Sequence, residues 1–277
     1  MKQVRFAVRS NTRIAKDVYE MTLDGDTSAL TAPGQFVNIK IDGLFLRRPI
    51  SVCRYGDGTM TLIYKVVGKG TERMKNRKAG DEEDVLVGLG NGFDTAKSGD
   101  SPLLIGGGVG TPPMLGLCEK LVSEGKNVTA LLGFNSKQEV FYEEEFIKAG
   151  ARTFIATADG TYGEKGFVTD KIKSLLDEGK KYDCIFAVGP LPMMKAVCAL
   201  TKKYGVKTIV SMNTIMVDGT GMCGSCRLTV DGKVKYACVD GPEFDGHLVD
   251  FDEAINRSKF YKEQEKEHVC RLTGEIR

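Results

Sequence analysis

Three cysteines stand close together in a glycine-rich stretch, Cys223, Cys226 and Cys238, and Asp218 precedes them. The spacing from Asp218 is D-x4-C-x2-C-x11-C. Plant-type [2Fe–2S] sites use C-x4-C-x2-C and then a more distant cysteine. Here a carboxylate takes the first place. Carboxylate oxygen can ligate iron, so three thiolates and one carboxylate form a chemically sensible cluster site. A loop that wraps four ligands around a compact cluster must turn tightly and aim backbone N–H groups at sulfur, which Gly219, Gly221 and Gly224 permit. Structural zinc is the rival reading. Such sites often pair two C-x2-C knuckles, whereas this chain has one, and the nearest histidine after Cys238 is His247. Asp218 also has a plainer reading, as the turn residue of Asp-Gly.

Two short stretches nearer the start could hold a phosphorylated flavin. In Arg47-Arg48-Pro49-Ile50-Ser51 an arginine is followed three residues later by serine. At a strand edge this places a guanidinium and a hydroxyl near a phosphate and a flavin ring. Next comes Tyr64-Lys65-Val66-Val67-Gly68-Lys69-Gly70-Thr71. Gly68 and Gly70 let the backbone approach a pyrophosphate, and Thr71 offers donors at a helix start. Tyr64, Lys65 and Val66 complete the candidate flavin set. Either stretch alone is weak, since paired arginines are commonly solvated and G-x-G is commonly a turn.

A third stretch, Gly106-Gly107-Gly108-Val109-Gly110-Thr111-Pro112-Pro113, follows a buried strand and opens a helix. It departs from G-x-G-x-x-G because position 111 is threonine. The physics is the same: glycines bring the backbone close to a pyrophosphate, Thr111 caps the helix and Pro112 fits its first turn. Gly107, Gly108, Val109, Gly110 and Thr111 are therefore candidate nicotinamide-nucleotide residues. Later strands end at Gly133-Phe134-Asn135, Ala158-Asp159-Gly160 and Gly189-Pro190. Ligands of parallel sheets sit outside such strand ends, which adds Asp159, Gly189 and Pro190. Lys137, Glu139 and Glu143 to Glu145 lie near Gly133 and no arginine does. A 2′-phosphate would want arginine or lysine there, so NAD(H) is expected over NADP(H).

The elements that must position these groups fall into three regions. Residues 1–97 read as short strands separated by Pro33-Gly34, Asp42-Gly43, Asp57-Gly58 and Gly90-Asn91-Gly92, the pattern of a small antiparallel barrel. Residues 98–210 alternate short apolar strands with helices, among them 112–124, 143–148, 168–177 and 192–204, which builds a parallel sheet. Residues 211–250 form a cluster module with one hairpin, 227–237, turning at Asp231-Gly232. Residues 251–277 are a charged tail, with a surface helix expected over 251–267.

The 277 residues are 42% hydrophobic, enough for two or three cores. Lys+Arg 39 against Asp+Glu 37 gives +2, which offers a nucleic-acid partner nothing. No apolar run approaches the ~20 residues that cross a bilayer, and 1–10 lacks the apolar core of a secretory signal. A cytoplasmic location is expected, where thiols stay reduced. Cys53, Cys118, Cys184 and Cys198 read as small core residues, and Cys270 as a plain buried thiol. Neither His247 nor His268 sits in a motif with a catalytic role.

The order R-P-I-S, G-K-G-T, G-G-G-V-G-T-P-P and V-G-P-x-P-M-M resembles the ferredoxin–NADP⁺ reductase superfamily over about residues 1–210. The C-terminal part is similar to electron-transfer subunits of the dihydroorotate dehydrogenase B and sulfide dehydrogenase group. Within it, the run from Ser211 to Gly224 and the segment Ala237 to Gly246 resemble the small subunits of NADH-dependent reduced ferredoxin:NADP⁺ oxidoreductases. Dihydroorotate subunits are expected to carry cysteine where Asp218 stands. The resemblance implies FAD held by Arg48, Pro49, Ile50, Ser51, Gly70 and Thr71, with NAD(H) against it. It also implies a heterodimer with a larger subunit bearing a second flavin and further clusters, and an indirect exchange with ferredoxin. Hydride would pass from NADH to FAD and electrons singly to the cluster, with no general acid or base required. Two alternatives stand beside this: the electron-transfer subunit of NAD-dependent dihydroorotate dehydrogenase B, and a metal-bound structural subunit without flavin.

Overall fold

The computed structural model describes residues 1–260. Residues 261–267, His268 and Cys270 lie outside the described residues; within the described residues the helix expected over 251–267 is shorter, ending at Arg257 with Ser258 as its C-cap.

Six strands close into an antiparallel barrel: β1 (Lys2–Ala15), β2 (Val18–Asp24), β3 (Phe36–Ile39), β4 (Arg48–Gly56), β5 (Thr59–Lys65) and β6 (Glu82–Leu89), ordered β1-β2-β5-β4-β3-β6 with β6 returning to β1. Closure removes the exposed edges that an open sheet would present. Alternation decides what each strand buries. In β6, Glu83, Val85 and Val87 point inward, while Leu89, past a register shift, packs with Phe36 outside the barrel core. In β3, Val37 and Ile39 enter the barrel core, while Phe36 belongs to the core shared with the rest of the chain. A short helix α1 (Lys69–Met74) caps the passage from β5 to β6. Asn11 Nδ2 donates to Met74 O and Arg77 O at 2.9 and 3.1 Å, and Arg77 Nε meets the fully enclosed Glu83 carboxylate at 2.7 Å. These contacts fix the end of α1 to the barrel wall. Burial raises the Glu83 pKa above the usual carboxylate range, with Arg77 opposing it.

The second region is a parallel sheet. Its strands are β7 (Leu103–Gly107), β8 (Thr129–Phe134), β9 (Arg152–Thr157), β10 (Glu164–Lys165), β11 (Ile185–Val188) and β12 (Thr208–Ser211); the helices between them are α2 (Thr111–Ser123), α3 (Glu143–Lys148), α4 (Val168–Asp177) and α5 (Leu191–Lys203). Val168, Ile172 and Leu175 fall on one buried face of α4, as amphipathic spacing requires. The helices begin and end within a residue or so of the expected positions. One expectation is corrected: Gly110, not Thr111, is the N-cap of α2, and no side chain caps it. Thr111 is already the first helical residue.

The third region holds the hairpin β13 (Arg227–Val230) and β14 (Lys233–Tyr236), helix α6 (Ala237–Asp240), strand β15 (Glu243–Asp245) and helix α7 (Phe251–Arg257). Strand β15 pairs antiparallel with β12, so the sheet order is β10-β9-β8-β7-β11-β12-β15. Cys53, Cys118, Cys184 and Cys198 are buried as expected. No helix among the described residues is long and apolar enough to cross a membrane.

Candidate functional site

Arg48 and Gly70 of the candidate flavin set come together where β4 faces α1. Gly70 lies directly beneath the Arg48 guanidinium; an added Cβ would sit 2.8 Å from its Cζ and closer still to Nε. Arg48 Nη1 donates to Leu46 O at 2.7 Å and Arg47 O at 3.2 Å, which turns the guanidinium back over the strand. The Thr71 hydroxyl is used internally: it accepts from Val67 N at 3.0 Å and donates to Gly68 O at 3.0 Å. It shapes the turn and leaves Gly68 to Gly70 as a bare backbone cradle. A guanidinium over such a cradle suits a pyrophosphate. Ile50 packs against the barrel core, so alternation turns Pro49 and Ser51 outward on the same face as Asn38 and Phe36, their partners on β3.

Two members of the predicted set are placed differently from the rest. The Tyr64 ring is buried inside the barrel, stacked on Tyr19, and its hydroxyl donates to Asn11 Oδ1 at 2.8 Å. Only its backbone can reach a ligand. Lys65 Nζ meets Glu139 at 3.0 Å across the boundary between barrel and sheet, and Glu139 also accepts from Asn135 Nδ2 at 2.8 Å. Lys65 is thus a tie between the two regions, alongside Arg54 Nε to Glu119 at 2.8 Å and the Tyr142–Glu20 hydrogen bond.

The candidate nucleotide residues lie at the C-terminal ends of the parallel strands. Gly107 ends β7, Gly108 takes a left-handed turn at φ +53°, and Gly110 packs on the Val188–Gly189 peptide. Met193 lies over Gly107 and Gly189, with Pro190 beside Gly107. Val109 is 44% exposed at the rim. Thr111 is fully enclosed and its Oγ1 has no partner among the described residues. Asp159 stands apart at the end of β9, where its carboxylate accepts from Thr161 N at 3.0 Å and Thr161 Oγ1 at 2.7 Å. Those bonds hold its pKa below the usual carboxylate range.

In the cluster loop Cys226 Sγ and Cys238 Sγ lie 3.3 Å apart and both residues are buried, whereas Cys223 is exposed. Gly219, Gly221 and Gly224 all have positive φ, as the tight loop demands. Asp218 accepts from Thr220 N at 2.8 Å and Cys223 N at 3.0 Å. Burial works against its ionisation, yet these bonds lower its pKa. The Cys223 thiol is lowered too: burial opposes this, but the Ser225 N–H and hydroxyl outweigh it. Burial and the adjacent Cys226 push Cys238 up to about 12. Among the described residues no three His, Cys, Asp or Glu side chains are gathered closely enough to hold a metal ion. The donor set nevertheless fits a thiophilic centre: two touching thiols, a third thiol whose pKa is lowered, and a carboxylate with lone pairs left over.

Two residues that sequence reasoning passed over lie between these sites. Asn38 is fully buried, and its Nδ2 donates to Val217 O at 3.3 Å and Asp218 O at 3.4 Å, binding the cluster loop to the barrel. Glu243 is half-buried overall, yet its carboxylate is enclosed: Ser211 Oγ donates to Oε1 at 3.1 Å, and Oε2 has no partner among the described residues. Burial pushes its pKa up to about 8. Local sequence carried no signal for either, since what covers them arrives from distant segments.

Residues 213–250 match the iron-sulfur cluster binding domain of dihydroorotate dehydrogenase B, and residues 104–199 match the oxidoreductase NAD-binding domain. A dihydroorotate dehydrogenase B (NAD(+)) electron transfer subunit homolog from Thermotoga maritima is 41% identical, over 95% of each chain. The chain belongs to this electron-transfer subunit family. The corresponding subunit from Fusobacterium nucleatum is 42% identical over 88% of this chain and 97% of its own. A solved structure described as giving insights into flavin-based electron bifurcation via the NADH-dependent reduced ferredoxin-NADP oxidoreductase is 38% identical, with TM-score 0.88 over 97% of this chain and 98% of that one. Family membership makes the chain an oxidoreductase subunit, with the nucleotide loop inside one matched domain and the cluster loop inside the other.

Proposed function

We propose that this chain is the small subunit of an NADH-dependent ferredoxin:NADP⁺ oxidoreductase complex, binding FAD, NAD(H) and a [2Fe–2S] cluster. FAD, when bound, exchanges hydride with a nicotinamide and gives up electrons one at a time to an iron–sulfur centre. Arg48 and the Gly68–Gly70 backbone hold its pyrophosphate, and Pro49 to Ser51 line the ring. The Gly107–Thr111 turn, Gly189 and Pro190 hold the nucleotide, and Asp159 borders it. Asp218, Cys223, Cys226 and Cys238 hold the cluster.

One observation carries this reading. The cluster loop is bonded through Asn38 to the outer face of the barrel, directly across the ladder from Pro49. The two redox sites therefore share one wall. On the far side Cys223 is exposed and Met222 is 89% exposed, which leaves the loop open to a larger partner subunit carrying further flavin and clusters. Electron exchange with ferredoxin would then run through that partner.

The test is the visible spectrum of the chain purified without oxygen, with iron and flavin assayed before and after NADH. Flavin with about two irons per chain, both bleached by NADH, supports the reading. Flavin without iron would sink the cluster assignment and leave a simple NADH–flavin reductase.

A second reading, the electron-transfer subunit of a dihydroorotate dehydrogenase, is favoured by the relatives at 41–42% identity. Co-purification separates the two. A dihydroorotate-oxidising partner would replace the first reading, and a partner rich in iron–sulfur clusters would retain it.

A further inference from the structure

Phe45 stands in the connection from β3 to β4 with its ring 99% exposed. Its neighbours in the chain are held. Leu44 N–H donates to Ile41 O at 3.0 Å, and the Leu44 side chain packs against the barrel core. Asp42 is tied twice to the α1 region: Arg73 Nη1 donates to its carbonyl, and Arg77 Nη2 donates to its carboxylate at 3.0 Å. On the other side of Phe45, Leu46 O accepts from Arg48 Nη1 at 2.7 Å, and that guanidinium lies over Gly70. The connection is therefore pinned before and after Phe45, and it touches the group that covers the bare Gly68–Gly70 cradle. Val67, where the cradle begins, is 80% exposed as well. Apolar side chains exposed together at a groove mark a ligand surface, whereas single ones scattered elsewhere need no explanation.

The order of residues along β4 says what covers Phe45. On the flavin reading above, Pro49 to Ser51 line the ring and Arg48 meets the pyrophosphate, so FAD runs from ring to phosphate toward lower residue numbers. Beyond the pyrophosphate FAD carries its adenosine. Continuing in the same direction leads off the start of β4 to Leu46 and Phe45. Phe45 is three residues from Arg48, a reach of at most about 10 Å, which keeps its ring within an adenosine's length of the pyrophosphate. We propose that the Phe45 ring stacks on the adenine of bound FAD and makes the site choose FAD over FMN. The proposal rests on the flavin reading and adds to it the half of the cofactor that the ring and phosphate residues leave unassigned. Leu44-Phe45-Leu46 carries no polar side chain to read the adenine's edges. Stacking needs none, because every base has a flat π-face that an aromatic side chain can cover.

The test uses the full chain with its cluster intact, stripped of flavin and titrated by fluorescence quenching with FAD and with FMN, which lacks the adenylate half. A ring that is wholly exposed supports nothing in the fold, so Phe45 variants should keep the unaltered Tm. The unaltered chain should bind FAD more tightly than FMN. Phe45→Ala should raise the FAD Kd about tenfold, within the range of one base–aromatic stack, and leave the FMN Kd within about twofold. Phe45→Tyr keeps a stacking face and should hold FAD within about twofold of the unaltered chain. If Phe45→Ala binds FAD as tightly as the unaltered chain, the ring serves a partner chain or only water, and the inference is overturned. An equal loss of FAD and FMN overturns it too, because Phe45 would then act on the half that the two flavins share. If the unaltered chain binds neither flavin, the functional reading falls and takes this inference with it.

Discussion

Gly110 offers a sharp test of the nucleotide site, because its cost can be worked from geometry. Its φ of −80° is ordinary helical backbone, so alanine there suffers no backbone strain. The obstacle is space. A Cβ would lie 2.5 Å from the carbonyl carbon of Val188 and 2.8 Å from Gly189 N, and closer still to the Val188 oxygen. Carbon atoms settle at about 3.5–4.0 Å, so the overlap is roughly 1 Å, and the obstacle is backbone rather than a side chain that could swing away. Overpacking of this kind costs about 1–3 kcal/mol. Alanine recovers about 0.4–1 kcal/mol from the unfolded chain. The net loss for Gly110→Ala is on the order of 1–2 kcal/mol, a fall in Tm of about 2–8 °C. More telling is function. The strand β11 end and the β7–α2 turn must move apart, and both line the nucleotide crevice, so NADH should bind about tenfold more weakly. FAD content should be unchanged, since the barrel is untouched. The comparison variant is Gly108→Ala, whose Cβ meets nothing within 4 Å and whose left-handed φ of +53° is its only penalty, about 1–2 kcal/mol. The assay is NADH fluorescence titration with thermal unfolding of each variant. Wild-type NADH affinity and Tm in Gly110→Ala would refute the close-packing argument.

Three further outcomes follow from the structure. Arg48→Ala should raise the FAD Kd roughly 10- to 100-fold, the worth of a charge-assisted hydrogen bond, with NADH affinity unchanged; equal FAD binding would remove Arg48 from the site. Asp218→Cys should keep iron at the wild-type level while moving the visible bands and g-values toward those of an all-thiolate cluster, and an unaltered spectrum would show that Asp218 only shapes the loop. Glu243 gives a pH dependence whose sign is fixed: burial raises its folded pKa to about 8 from 4.5, so the folded chain holds a proton that the unfolded chain releases. Its contribution to stability is complete below about pH 4.5 and declines as pH rises through 8, by up to ~1.4 kcal/mol per pH unit. Glu243→Gln should flatten that decline in denaturant midpoints measured from pH 6 to 8.5, and an unchanged slope would place the proton elsewhere.

What could be read from the chain alone was the chemistry held in short, ordered stretches. The Arg48 strand edge and the Gly70 turn were legible because each is a local feature; that the guanidinium lies over Gly70 is a contact between separate segments. Helices α2 and α4 follow their apolar spacing. Asn38 was invisible for the opposite reason. In the alternating run Phe36 to Ile41 it looks like any outward polar residue of a barrel strand, and only a loop 180 residues later turns that outside into an interior. Lys65 stands in the candidate flavin set beside the G-K-G-T turn, but its ammonium is drawn to Glu139, in the short turn after β8. Strand β15 has three residues, too few for any periodicity, and its role depends on finding β12 unpaired on one side.

That small strand bears on how the molecule can be divided. The parallel sheet would otherwise end at β12, a bare row of backbone donors and acceptors of the kind that recruits other chains. Residues that lie beyond the cysteines in sequence return to cover it. A cut after residue 210 would therefore not release a tidy flavin–nucleotide half. It would leave β12 with an open seam, and Ser211 and the Glu243 pocket would go with the missing piece. The cluster region is stitched into the sheet that serves the nucleotide, and a graft that swapped only the cysteine loop would have to respect the seam on both sides.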